Sequence, residues 1–97
     1  MEKLAKGIIK VKLQLIASVV LEQVNPSGEV DKEKLRRSKL KAVEKYEWVL
    51  KGAAITNDIL TERYIVNVVD EFRLKIMNLN ITELSELFEQ IKDEYDI

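Results

Sequence analysis

The chain contains no cysteine and no histidine. Without cysteine there is no disulfide framework, no thiolate nucleophile and no sulfur metal ligand, a composition that fits a reducing compartment such as the cytoplasm. Without histidine, the commonest general base and the commonest metal ligand are missing too. Together these absences exclude most familiar catalytic constellations, so a non-enzymatic protein with no cofactor and no metal is expected. Apolar runs are also short. Lys10, Lys12 and Gln14 interrupt the most hydrophobic stretch, so nothing approaches the roughly 18 residues a membrane span needs. No small-residue cleavage site follows a continuous apolar region, as a signal peptide would require. The single proline, Pro26, and two of the three glycines, Gly28 and Gly52, fall where helices are read to end.

What remains is a balanced globular composition. Ninety-seven residues, 46% hydrophobic and 34% charged, make a single domain over 1–97 that can bury a core but is small enough for self-association to add stability. The net charge of −1 hides an asymmetry. Residues 1–51 carry twelve Lys/Arg against seven Asp/Glu, whereas residues 52–97 carry four against ten. A split of this kind points to nucleic acid, a membrane surface or an oppositely charged protein. The nearest candidate for the basic half is the acidic half of the same fold or of a second copy.

Hydrophobic periodicity places four helices, at about 3–24, 32–51, 57–77 and 81–95. In the first, Ile9, Val11, Leu13 and Leu15 alternate with polar residues as in a strand. The longer window favours a helix, with Ile9, Leu13, Ile16, Val20 and Val24 on one side and Ile8, Leu15 and Val19 widening it. Asn25-Pro26-Ser27-Gly28 ends it. Asp31 is placed to cap the second helix with Val30 stapled to Leu35, and Gly52 sits where a left-handed C-cap is wanted. Thr56 and Ile55 offer the same cap and staple to the third helix, with Leu60 as the staple's partner. The core stripe there is Ile65, Val69, Phe72 and Ile76. Asn80 and Glu83 form a capping-box pair for the fourth, whose stripe is Ile81, Leu84, Leu87, Phe88, Ile91 and Tyr95. Short connections favour an all-α, up-and-down four-helix bundle. The alternative is a three-helix core whose N-terminal helix swaps into, or forms a dimer with, a second copy.

Candidate sites follow from the faces left over. At about 100° per residue, Leu35, Ala42, Val43, Tyr46, Val49 and Leu50 share one side of the second helix, while Lys34, Arg37, Lys41, Lys45 and Trp48 gather on the other. The basic stripe can neutralise phosphates or meet an acidic protein, and Trp48 can stack on a base or anchor a partner. Glu44 within the stripe and Glu33 and Glu47 beside it favour a solvated or protein-facing role, and cover of Trp48 by the first helix or a second subunit is expected. A helix-turn-helix reading would set Asp58, Thr61, Glu62 and Arg63 against base edges, but two acids among the four oppose it. Ile8, Leu15, Val19 and Leu21 form a candidate oligomer interface on the wide apolar arc of the first helix. Lys12 and Gln23 also fall on that arc, as snorkelling or register-fixing polar groups. The acids Glu83, Glu86, Glu89, Asp93, Glu94 and Asp96 lack the converging loop oxygens of a calcium site and read as a solvated face.

The lysine-, isoleucine- and asparagine-rich composition resembles that of small phage, plasmid or low-GC bacterial proteins, which implies nothing about single residues. The function expected is a helical interaction or adaptor module, self-associating as a homodimer. The alternative is a nucleic-acid-binding regulator using the basic face of the second helix, including Arg36.

Overall fold

The structure is a computed structural model and describes residues 2–23, 31–55 and 61–95. The chain is an all-α, up-and-down bundle of four helices: α1 (Glu2–Glu22), α2 (Lys32–Ala54), α3 (Glu62–Met77) and α4 (Ile81–Glu94). Residues 8–15 are helical, because α1 needs the 3.6-residue period to turn Leu13, Ile16 and Val19 into one core. The first helix belongs to the core of its own chain, so no swap is needed to bury it. Val24, the Asn25–Gly28 break, Val30, Thr56, Asp58, Leu60 and Asp96 lie outside the described residues.

The helix starts follow local hydrogen bonding. Asp31 is extended at ψ 112° and its carboxylate accepts from the backbone N–H groups of Glu33 and Lys34 at 2.9 and 3.2 Å, the expected cap of α2. Asn80 and Glu83 close the expected capping box: the Glu83 N–H donates to Asn80 Oδ1 at 2.8 Å and the Asn80 N–H to Glu83 Oε1 at 3.0 Å. Two expected boundaries are corrected. Gly52 does not stop α2, since the half-buried Ala53 and Ala54 pack on the core and carry the helix to Ala54. The third helix does not run unbroken from residue 57: Thr61, extended at ψ 156°, caps a helix that begins at Glu62, its Oγ1 accepting from the Tyr64 N–H at 3.1 Å, and residues 57–60 lie outside the described residues.

Packing runs in the order α3–α2–α1–α4: α1 lies against α2 and α4, and α2 against α3. Near the end of α2, Lys51 and Ala54 share a crevice with Glu62 and Ile65. Midway, the Tyr46 and Phe72 rings meet at 4.7 Å, tilted by 55°. Near the start of α2, the Lys39 ammonium donates to the carbonyl of Met77 at 3.2 Å and to that of Leu79. The pairing therefore runs antiparallel along the whole length of both helices. That geometry is an α-hairpin and not the steep crossing of a helix-turn-helix pair, and it removes the groove-reading arrangement of Thr61, Glu62 and Arg63.

The core is one cluster centred on α2, where Ala42, Val43, Tyr46 and Leu50 are buried against Ile16 and Val19 of α1, Val69, Phe72 and Ile76 of α3, and Leu84 of α4. Lys12, on the apolar arc of α1, holds its Nζ 5.9 Å from the Tyr46 ring centroid. Burial and the neighbouring Lys75 push its ammonium below the ordinary lysine value, against an opposing pull from Glu71. Gln23 is buried at the end of α1, with no hydrogen-bond partner for its amide among the described residues.

Tyr46 is 1% exposed and its hydroxyl has no hydrogen-bond partner among the described residues. Burial, reinforced by Tyr64 and Glu71, pushes its phenol well above the ordinary value. Because the folded value lies above the unfolded value of about 10, the linked stability is complete below about pH 10 and is lost as pH rises toward the folded value. Tyr46→Phe removes an unsatisfied buried hydroxyl, so at pH 7 stability should be unchanged or raised by up to about 1–3 kcal/mol. The same substitution should lessen the alkaline loss. Urea unfolding of both proteins at neutral pH and at about pH 11 checks this; a marked loss of stability at neutral pH would contradict it.

Candidate functional site

The outward face of α2 is set by its inward one. Trp48 follows Tyr46 by two positions, about 200° around the helix, so burying the tyrosine turns the tryptophan out. Trp48 is 80% exposed, which corrects the expectation that the first helix covers it: α1 packs on the flank of α2 marked by Ser38, Ala42 and Lys45. Seven residues on, and about two turns along the same face, Ile55 is 86% exposed. Gly52 lies between them, with nothing within 4 Å of where a side chain would begin. Ile55, read from the sequence as a staple onto Leu60, also shares this face, and its i, i+7 spacing from Trp48 is the sequence signal for it.

The basic stripe leads up to this apolar end. Lys34, Arg37, Lys41 and Lys45 are all exposed. Among the described residues, Lys34, Lys41 and Lys45 make no ion pair, and Arg37 reaches Glu33 only at 3.7 Å. Glu33 is engaged by Arg36, whose guanidinium makes two bonds to its carboxylate at 2.7 and 3.2 Å. The hydrogen bond and charge of Arg36 hold the Glu33 carboxyl below its usual range. Glu47 pairs with Lys51 at 2.8 Å as the four-residue spacing implies, and that bond likewise lowers the Glu47 carboxyl. Such exposed pairs contribute only a few tenths of a kcal/mol each. The charges of Lys41 and Lys45 are therefore not consumed within the fold.

The proposed oligomer patch on α1 separates into two kinds of residue. Val19 is 2% exposed and belongs to the core, and Ile8 and Leu15 are half-buried against it. Leu15 and Val19 line the α1–α2 seam, so the wide apolar arc of α1 is used by two neighbours at once. Leu21, at 70% exposure, is the residue of that patch left open. It borders a mainly apolar crevice of about 260 Å³ with Ala17, Val20, Ser85 and Phe88.

On α4 the outward residues are acidic. Glu86, Glu89 and Asp93 are exposed and make no ion pair among the described residues, while Tyr95 at the helix end is 45% exposed. Among the described residues, no group of three or more acids is gathered as a metal site, and no helix is long and apolar enough to cross a membrane.

Lys39 carries the polar chemistry that pattern reading missed. It is 5% exposed, and burial pushes its ammonium below the ordinary lysine value while Glu83 opposes the shift. Its contacts with Met77 and Leu79 place a cation on the carbonyls at the carboxyl end of α3, where the helix dipole favours it. Its position, with Leu35, Ala42, Val43 and Tyr46, was a signal in the sequence: a lysine on the core face. Nearby, Ser38 donates to the Glu22 carboxylate and ties the end of α1 to the start of α2.

No family model, curated protein or solved structure matches the chain.

Because the outward residues of α2 make so few contacts within the fold, replacing Lys41, Lys45 or Trp48 singly with alanine should change the unfolding free energy by no more than about 0.5 kcal/mol. Urea titration of the dilute protein measures this. A loss of 2 kcal/mol or more, at the scale of a core residue, would show that the face is part of the fold and not spare.

Proposed function

We propose that the chain is a non-enzymatic helical interaction module that self-associates through the outward face of α2. Trp48 carries this reading. A tryptophan that is 80% exposed, preceded on its face by Lys41 and Lys45, which make no ion pair among the described residues, supplies the large apolar contact and the charge that interface centres and rims use. The fold gains nothing from leaving that side chain in water, whereas a partner that covers it removes its apolar surface from solvent. A cytoplasmic location, suggested by the lack of cysteine, belongs to the same reading.

Lys34, Lys41 and Lys45, free of ion pairs among the described residues, also support a second reading, a nucleic-acid-binding regulator. It is the weaker one. Arg36 is committed to Glu33, Glu44 is exposed within the stripe, and the overall pI is near 5.6, so the field around the stripe is not uniformly positive.

Light scattering tests the proposal. At low salt the mass should exceed that of a monomer and rise with protein concentration. Trp48→Ala should shift the protein to monomer at the same concentration without loss of helicity by circular dichroism. A parent protein that stays monomeric at low salt and high concentration would overturn the reading, and retention of assembly by Trp48→Ala would remove that residue from the interface.

A further inference from the structure

The reading above leaves open how two copies meet, and the arrangement of helices narrows it. Helices α2 and α4 flank α1 on separate sides, so their outward faces point away from each other. A two-fold axis that laid the basic face of α2 on the acidic face of α4 in a second copy would have to make the reciprocal contact as well. Faces on opposite sides of one bundle cannot both meet the same partner. Contact between them is therefore heterologous, joining different patches on the two copies.

The two faces also match in direction and height. Ser38, Lys41, Ala42 and Lys45 of α2 line one flank of α1 beside Leu15 to Glu22. Ser85, Phe88 and Glu89 of α4 line another beside Ala17 to Leu21. The same stretch of α1 thus marks one level in both neighbours. Both run antiparallel to α1, since Ser38 near the start of α2 bonds Glu22 at the end of α1, and the adjacent Lys39 holds Met77 and Leu79, from which α4 starts, at that same end. Helices α2 and α4 are consequently parallel to each other. A copy displaced sideways, without inversion, sets Lys41 and Lys45 level with Glu86, Glu89 and Asp93. Trp48, three residues beyond Lys45 and about 4.5 Å farther along α2 at 1.5 Å per residue, then falls level with the last turn of α4.

We propose that the chain assembles head-to-tail, the basic outward face of α2 in one copy docking along the acidic outward face of α4 in the next, with Trp48 over the last turn of α4. This deepens the self-association reading and rests on it. The charges are complementary, and among the described residues Lys41, Lys45, Glu86, Glu89 and Asp93 make no ion pair within the subunit. Every added copy presents a new α2 face, so growth is open-ended instead of stopping at a dimer. The apolar contribution comes from Trp48 and the rest from exposed charges, which makes the assembly strongly salt-dependent.

Sedimentation velocity on the full chain at low salt separates the possibilities. The expected result is a mass that passes dimer and continues to rise with concentration, and that falls toward monomer when salt is added. Lys41→Gln/Lys45→Gln and Glu86→Gln/Glu89→Gln each inactivate one face, and each protein alone should remain monomeric where the parent grows. Mixed in equal amounts, they should form a 1:1 dimer and nothing larger, because one intact α2 face and one intact α4 face remain between them. A parent that plateaus at dimer overturns the head-to-tail arrangement but leaves self-association standing. A parent that is monomeric at low salt overturns both. A parent that is monomeric yet binds duplex DNA through Lys41 and Lys45 replaces both with the nucleic-acid reading.

Discussion

The burial of Tyr46 is the constraint on which the other features turn. Its ring lies in the middle of α2, in contact with Phe72 of α3 and beneath the ammonium of Lys12 from α1. A helix admits only one rotation about its axis once such a residue is committed to the core. With Tyr46 inside, Val43 and Leu50 follow it inward, and Trp48, Lys41 and Lys45 must face out. The exposed tryptophan is thus a consequence of the same periodicity that builds the core. No rotation of α2 would hide both aromatics in a single bundle.

Polar contacts at one end of the bundle reinforce that rotation. Lys39 lies on the buried side of α2 and reaches the carbonyls of Met77 and Leu79, fixing the junction of α3 and α4 on the early part of α2. Ser38 and Glu22 join the end of α1 to the same region. Three chain segments therefore converge on two adjacent residues of α2. The Asn80–Glu83 capping box starts α4 from that junction, which lets a link as short as Asn78-Leu79-Asn80 send α4 toward α1 while α3 stays against α2.

Much of this was legible from residue order. The four helices, the capping residues Asp31 and Asn80 and the core stripes of α3 and α4 follow from local patterns whose physical cause is local. The misreadings involve longer-range causes. Gly52 has the composition of a helix stop, yet tertiary packing of Ala53 and Ala54 continues α2 beyond it. The arc of α1 had more apolar residues than one neighbour needs, but α1 has two major neighbours, so Val19 and Leu15 are spent inside the chain and only Leu21 is left open. The size of Trp48 argues for cover by the first helix or a second subunit; the first helix does not supply it, because which helix stands opposite is a matter of packing order, and packing order is not written in periodicity. Lys39 is one lysine among many by composition, and only its phase on the core face sets it apart.

The charge asymmetry between the halves takes on a spatial meaning in the fold. It becomes a basic ridge on α2 and an acidic ridge on α4, on separate sides of α1, in which Lys34, Lys41 and Lys45 and Glu86, Glu89 and Asp93 make no ion pair among the described residues. The single tryptophan of the chain lies on the α2 ridge and reports directly on whether that ridge is an interaction surface. Fluorescence of Trp48 recorded from dilute to concentrated protein at low salt should begin at the red, water-exposed end of tryptophan emission. It should then move to the blue and lose access to iodide as concentration rises. Emission and quenching that stay those of an exposed indole at every concentration, with the protein otherwise associating, would contradict the assignment of the interface to this face.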